Sequence, residues 1–429
     1  MYLKLRNIGK ITEADIELTG MTVIAGENNT GKSTVSKALF SAFNSLYKYE
    51  DEIYKARYQT VSRAISRYIS SRYNLIEQNF QFNDLFNENL NEHINLIILN
   101  PKEEDFDKHF QNIHELIISV MTEFGLSETG ESDENSDNVN ELKLSITDAL
   151  KISNQDIHNR LTTNIFRGEF DDQVNNLYID GEASIELIIK NGTTIFNIEK
   201  NTVKYIGNPK MLKTQAVYLD DPFVLDDKTN FWIMSRRNDH RSTLKRRLLE
   251  ESKSDTIEQI VVDKKIDKIF EKLNSVVSGD LISDGRRNVS YRPKEREESI
   301  RMSNISSGLK TFIIIKELLQ NGTLEKNGTL ILDEPEIHLH PEWQILLAEL
   351  IVLIQKEFGM HILLTTHSPY FLYAVEVFTA RYDLKEQCNY YIAENIMNDV
   401  VFRNVSESID EIYKKLSDPF QKLENLSYE

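Results

Sequence analysis

Along the first residues of the chain the spacing of apolar positions changes twice. "YLKLRNIG" and "ADIEL" alternate apolar with polar residues, the two-residue period of half-buried strands, and read as a strand pair. "MTVIA" is a continuous apolar run, which predicts a buried strand ending at Gly26. "KSTVSKALFSAFNSLY" then takes up helical spacing. From about Glu50 to Arg160 the pattern is helical and polar. Val61, Ala64, Ile65, Tyr68, Ile69 and Tyr73 recur as a stripe, with Arg63, Arg67 and Arg72 off it, the signature of a packed helix face. Inside this region "SETGESDENSDN", Ser127 to Asn138, is acidic and poor in apolar residues and reads as a mobile loop.

Strands return in "ASIELIIKNGTTIFNIEK", where Asn191-Gly192 between alternating apolar residues predicts a hairpin. "AVYL" is a further strand, followed by "DDPFVLDD", and Leu244 to Val277 reads as mostly helical and charged. The last third predicts a helix over 309–319, a strand over 329–332, a helix over 341–357, a strand over 361–365 and a helix over 369–379. Such alternation builds a parallel sheet covered by helices.

Composition narrows the class. At 429 residues the chain has room for one large or several ordinary domains. The apolar runs "TFIII" and "ILLAELIVLI" are too short to span a membrane, and the opening residues lack a signal-peptide pattern. One cysteine, Cys388, excludes an internal disulfide and a cysteine-rich zinc site, so a reduced, cytoplasmic protein with no membrane contact is expected. A net charge of −18 argues against uniform coating of a polyanion. The balance reverses locally between Arg236 and Arg301, in "RRNDHRSTLKRR" and "DGRRNVSYRPKEREESIR", which keeps nucleic acid open as a partner.

Four stretches carry chemistry. "GENNTGKST" comprises Gly26, Glu27, Asn28, Asn29, Thr30, Gly31, Lys32, Ser33 and Thr34 and fits the phosphate-loop pattern between a strand and a helix. Gly26 and Gly31 let the backbone curl and the helix start aims its amides outward, so Lys32 is expected to reach β and γ phosphates and Ser33 to ligate magnesium. "GTLILDEPEIHLHP" delivers Asp333 and Glu334 at the carboxyl end of a buried strand, where ligands of open α/β sheets bind. Asp333 is expected to hold magnesium, directly or through water, and Glu334 to act as general base. In "NISSGLKTF", Ser306, Ser307 and Gly308 open an apolar helix with outward amides and hydroxyls, although an ordinary serine cap has the same appearance. In "ILLTTHSPYF" a buried strand ends in His367 before Ser368-Pro369 starts a helix.

In this order the four motifs, together with the opening "YLKLRNIGKITEADIEL", resemble the ABC-type ATPase heads of the SMC, RecF and OLD group. The resemblance covers roughly the first 45 and last 150 residues. It implies an α/β, P-loop NTPase fold of ABC-ATPase type: a mixed first-lobe sheet plus a parallel core sheet flanked by helices, with a helical insertion. The expected divisions are 1–44, first lobe with Walker A; 45–160, helical insertion; 161–235, first lobe continued; 236–280, a basic, charged helical segment; and 281–429, second lobe with signature, Walker B and switch histidine. By the same resemblance His367 is the switch histidine near the γ-phosphate, and Ile305 to Leu309 is the signature. "EIHLHP" stands in the place of the D-loop, a reading set against a metal site at His338 and His340. Such heads place a glutamine near magnesium after a strand between Walker A and signature. Here Gln215 precedes "AVYL" while Asp220-Asp221-Pro222 follow it, so no residue is assigned.

The resemblance further implies ATP and Mg2+ as cofactors and a homodimer or higher oligomer, each copy's Ser306 closing the other's nucleotide, with binding energy driving a switch. The insertion has no sustained heptads for SMC arms, the zinc hook lacks its cysteine pair, and about 60 residues after His367 are too few for a Toprim nuclease. A stand-alone ATPase with a separately encoded effector is therefore expected, similar to ATPase subunits of antiviral systems of the Septu and PARIS kinds. The alternative is a RecF-like DNA-binding ATPase in repair or replication, with the basic stretch on phosphates.

Overall fold

The computed structural model describes residues 1–73, 84–100, 103–123, 132–179, 181–207, 209–226, 238–249, 267–283, 289–396 and 399–427. Two compact units account for them, residues 48–160 and the remainder of the chain. No helix among the described residues is long and apolar enough to cross a membrane.

The main unit starts with β1 (Tyr2–Ile8) and β2 (Ile11–Glu17), antiparallel about a turn that pairs Ile8 with Ile11. β3 (Met21–Gly26) is buried throughout, as its continuous apolar run requires, and leads through the glycine loop into α1 (Lys32–Leu46).

The 48–160 unit is helical: α2 (Tyr49–Tyr73), α3 (Asp84–Leu99), α4 (Glu103–Glu123) and α5 (Ser132–Lys151). Val61, Ile65, Tyr68 and Ile69 of the predicted stripe pack with Ile94, Ile113, Ile117 and Ile146 in one apolar core. Two expectations are corrected here. Arg72 is buried, with its guanidinium 5.4 Å from the centre of the Tyr68 ring, because a long side chain can lay its stem along an apolar face. The loop expected over Ser127 to Asn138 is helical from Ser132 onward; its earlier part lies outside the described residues. Arg57 closes the far end of α5, donating to the carbonyls of Ala149 and Leu150 at 3.0 Å.

After α6 (Asn154–Glu169) come β4 (Ala183–Ile189), β5 (Gly192–Glu199), β6 (Thr202–Ile206) and β7 (Ala216–Leu219). The β4–β5 turn sits one residue earlier than Asn191-Gly192 predicts: Ile189 pairs with Gly192, and Lys190 takes φ 53°. Ile185, Leu187, Phe196 and Ile198 of this hairpin all face one core. β2-β1-β4-β5-β6 form a five-stranded sheet, antiparallel at every pairing where a mixed sheet was expected.

The chain continues through α7 (His240–Leu249), β8 (Asp280–Ser283), β9 (Val289–Arg292), β10 (Ile300–Arg301) and α8 (Ser307–Gln320). Within the basic stretch Arg236, Arg237, Arg286 and Arg287 lie outside the described residues. The last third is β11 (Thr329–Asp333), α9 (Pro341–Phe358), β12 (His361–Thr366), α10 (Pro369–Arg381), β13 (Cys388–Ile396), β14 (Asp399–Asn404) and α11 (Asp410–Ser427).

The six-stranded sheet runs β14-β13-β3-β12-β11-β7, parallel except for the β14 edge. Its two-residue period divides the interior. Val23, Ala25, Val217, Leu219, Leu330 and Leu332 share one core with α8, α9 and α10. Ile24, Tyr218, Ile331 and Leu363 share another with α1 and the antiparallel sheet. The carboxyl ends of β3, β11 and β12 lie side by side, where open α/β sheets hold ligands.

Candidate functional site

At the end of β3 the loop is shaped by its backbone. A Cβ on Gly26 would stand 2.4 Å from the Ala393 carbonyl oxygen of β13, so the sheet ladder itself requires glycine there. Asn29 and Gly31 take φ 66° and 75°, the left-handed region. Thr30 Oγ1 donates to the Glu27 carbonyl at 2.8 Å, and Lys10 Nζ to Asn29 Oδ1 at 2.6 Å. Gly31 is the N-cap of α1 and no side chain caps the helix, which leaves its first-turn amides available to another acceptor. Glu27, Asn28, Asn29 and Ser33 are exposed, and Thr34 lies under Gly9.

Lys32 is 4% exposed. Its Nζ donates to the carbonyls of Gly26 at 3.0 Å and Glu27 at 2.8 Å, and lies 3.2 Å from Glu334 Oε1. The other Glu334 oxygen lies 3.4 Å from His367 Nδ1. Lys32, Glu334 and His367 thus come from three neighbouring strand ends and share one carboxylate. Glu334 reaches this position through a left-handed turn, φ 50°, stabilised by its amide donating to the Thr365 carbonyl and Oγ1, both at 3.1 Å.

Asp333 is held from both sides. Tyr218 Oη donates to Oδ2 at 2.9 Å, and Thr365 Oγ1 donates to Oδ1. Parallel register explains both contacts: Asp333 is level with Thr365 on β12, while Tyr218 of β7 is level with Ile331, two residues away on the same face. Glu336 is buried, accepts from Thr366 Oγ1, and burial pushes its pKa upward.

Ser306 is the exposed N-cap of α8, and its side chain makes no capping bond. Ser307 begins the helix half-buried, whereas Gly308 is packed inward: a Cβ there would lie 3.0 Å from the His338 carbonyl and 3.1 Å from Leu339. Among the described residues, neither serine bonds to Lys32, Asp333, Glu334 or His367. Lys310 lies beneath, with Nζ 2.5 Å from Asp226 Oδ2. His338 sits edge-on to Phe223, and His340 is the N-cap of α9.

Sequence reasoning missed Tyr218, Thr365 and a buried charge cluster behind them. Tyr218 is one residue of an apolar strand, and nothing in its spacing marks it. Gln215 stands at the opposite end of β7, accepting from Arg247 Nη2 at 2.5 Å. Asp220, after the strand, is taken up by Arg241 through Nη2 at 2.7 Å and lies 2.9 Å from His240 Nε2. His240 Nδ1 and its backbone amide face the two oxygens of buried Glu169 at 2.7 and 2.9 Å. Burial alone would lower the His240 pKa, but the two carboxylates outweigh it and hold it at about 9. Burial would raise Asp220, but His240 and Arg241 outweigh it and hold it at about 2.

The sign of the pH dependence follows. The raised histidine contributes stability that is complete below its ordinary value of 6.5 and is lost as pH rises through about 9. Asp220 contributes above its ordinary value of 3.8, a contribution lost as pH falls through about 2. Denaturant unfolding is expected to show a decline on the order of a few kcal/mol between pH 6.5 and pH values above 9, and His240→Gln is expected to flatten it. An unchanged decline in the variant would assign it to other groups.

Three solved structures overlap the chain loosely. An SMC head domain from Thermotoga maritima gives 12% identity and TM-score 0.37, covering 94% of this chain and 98% of that one. An Smc head bound to the C-winged helix domain of ScpA gives 11% and 0.41, covering 95% and 98%. A Pyrococcus furiosus Smc head with an extended coiled coil, bound to the C-terminal domain of ScpA, gives 11% and 0.38, covering 96% and 98%. The family assignment rests instead on a sequence model described as "AAA domain, putative AbiEii toxin, Type IV TA system", which matches residues 21–372. That span takes in the glycine loop, the Asp333-Glu334 strand end and His367, and the chain belongs to this AAA_21 family.

Proposed function

We propose that the chain binds ATP with magnesium at the Gly26–Thr34 loop, hydrolyses it, and uses the cycle to pair two copies head to tail and regulate a separately encoded effector. The observation that carries this reading is the convergence of Lys32, Glu334 and His367 on one carboxylate at the mouth of the loop.

The donor set suits a triphosphate. The α1 amides have no side-chain cap, Asn29 and Gly31 are left-handed as in anion-binding backbone turns, and Ser33 is exposed. Ser33 and Asp333 would hold magnesium, whose charge would neutralise the phosphate oxygens. Lys32, already desolvated, can exchange its Glu334 partner for a phosphate oxygen without further burial cost. Glu334, between a lysine and a histidine, is placed to take a proton from an attacking water. His367 orients that carboxylate and contributes a donor at the same point. Lys32→Ala is expected to weaken ATP binding about 10- to 100-fold, whereas Glu334→Gln is expected to retain binding and slow turnover about 100-fold or more, read by isothermal titration and phosphate release. Unaltered nucleotide affinity in the lysine variant would mean that this loop is not the site.

Pairing of copies is supported by Ser306, an exposed N-cap without a capping bond on a helix locked in place through Gly308. Its hydroxyl and the α8 amides are suited to a phosphate presented from outside. Ser306→Arg is expected to leave ATP binding to single chains intact and to remove the ATP-dependent doubling of mass in sedimentation. Doubling that persists would rule out this contact.

The effector reading draws on the toxin–antitoxin wording of the family description. It also draws on the basic stretch, where Arg241, Arg247 and Lys272 are engaged with Asp220, Gln215 and Glu349 within the chain. Such internal pairing withdraws these three groups from a phosphate backbone, whereas the exposed Arg246, Arg292, Arg296 and Arg301 of the same stretch remain open to the RecF-like alternative. Affinity purification with the product of the neighbouring gene is expected to recover a complex whose yield changes with ATP. Recovery of salt-sensitive DNA in place of a protein would favour the alternative.

A further inference from the structure

We propose that Tyr218 is a positioning residue for the magnesium carboxylate Asp333, and that the buried Glu169–His240–Asp220 cluster serves to hold that tyrosine. The proposal rests on the ATPase reading above and concerns how this chain orients its metal-binding group where no glutamine follows the strand.

Tyr218 is 1% exposed, so its hydroxyl needs a partner inside the protein, and that partner is Asp333 Oδ2 at 2.9 Å. With Thr365 on Oδ1, each carboxylate oxygen has one fixed donor and keeps lone-pair capacity for a further ligand. A carboxylate gripped at both oxygens cannot rotate about its terminal bond, and a ligand that needs one orientation meets it already set. The contact depends on strand parity. A residue before or after Tyr218 would point to the opposite face of the sheet, where Val217 and Leu219 lie against α8 and α9.

Behind the phenol ring the packing is unusual for a core. The His240 ring stacks on Tyr218 with centroids 4.0 Å apart and planes at 26°, and Phe40 approaches at 6.0 Å. Both His240 nitrogens face carboxylates, Nδ1 toward Glu169 and Nε2 toward Asp220, an arrangement suited to the doubly protonated ring. A cationic ring on the face of a phenol is attracted by the ring's π electrons and strengthens its hydroxyl as a donor. The cluster draws Glu169 from the end of α6, Asp220 from the end of β7 and His240 from the start of α7, and Arg241 balances the second carboxylate. Burying such a group is costly, and well-packed apolar residues would serve stability as well or better. Holding Tyr218 against Asp333 is a reason to keep it.

The test titrates magnesium in the presence of a fluorescent ATP analogue and reads binding, with turnover measured separately. Tyr218→Phe keeps the ring and the stack and removes only the donor. Its half-saturating magnesium concentration is expected to rise about 10-fold or more, with analogue affinity in chelator unchanged and turnover recovering at high magnesium. Glu169→Gln, which weakens the clamp, is expected to raise the requirement in the same direction by less. Combined with Tyr218→Phe it is expected to add nothing, because the cluster acts through the tyrosine. An unchanged magnesium requirement in Tyr218→Phe overturns the positioning role, and additive effects in the double variant overturn the clamp. Lys32→Ala serves as the control: if it retains analogue binding, the ATPase reading itself fails, whereas its loss of binding beside an unmoved Tyr218→Phe isolates the failure to this proposal.

Discussion

The site depends on one nearly sealed ammonium group. Lys32 cannot stay charged in a buried position without acceptors, and it finds them in two carbonyls of its own loop and one oxygen of Glu334. Those partners tie the end of β3 to the end of β11, and the second Glu334 oxygen extends the tie to His367 beyond β12. Three strand ends adjacent in the sheet are thereby joined through a single carboxylate. Because the ammonium is already stripped of water, exchanging one anionic oxygen for another changes its partners and not its burial. That is the physical basis of the proposed switch between an internal and a phosphate-bound arrangement.

Strand parity organises the rest. Odd and even residues of β7, β11 and β12 divide between two cores, and the division that buries Ile331 on the α1 side also places Asp333 there. Tyr218 and Thr365 meet Asp333 because parallel register brings them level with it or two residues from it. Glu334 departs from the strand through a left-handed backbone turn, which lets consecutive acidic residues take different partners. The sheet therefore fixes which oxygen faces which donor before any ligand is considered.

Much of this was legible in the chain. Continuous apolar runs identified β3, β11 and β12, and the alternation of strand and helix in the last third matched the parallel sheet, because local period and burial agree there. The convergence of Lys32 with Glu334 and His367 followed from motifs that each end a buried strand. The rest was hidden for stated reasons. Tyr218 looks like any strand aromatic, and the Glu169–His240–Asp220 cluster joins residues up to 71 positions apart with no shared pattern. Arg72 lies off the apolar stripe by spacing, yet it is buried with its guanidinium beside the Tyr68 ring. The β4–β5 turn lies one residue before the Asn-Gly pair, and strand parity is the same for either placement.

The most direct test is a crystal structure of the chain grown with magnesium and a non-hydrolysable ATP analogue. The account predicts the analogue's phosphates on the Gly26–Thr34 backbone, Lys32 Nζ moved from Glu334 to a phosphate oxygen, and Ser306 of a second copy over the terminal phosphate. Phosphates bound elsewhere, with Lys32 still 3.2 Å from Glu334, would contradict it.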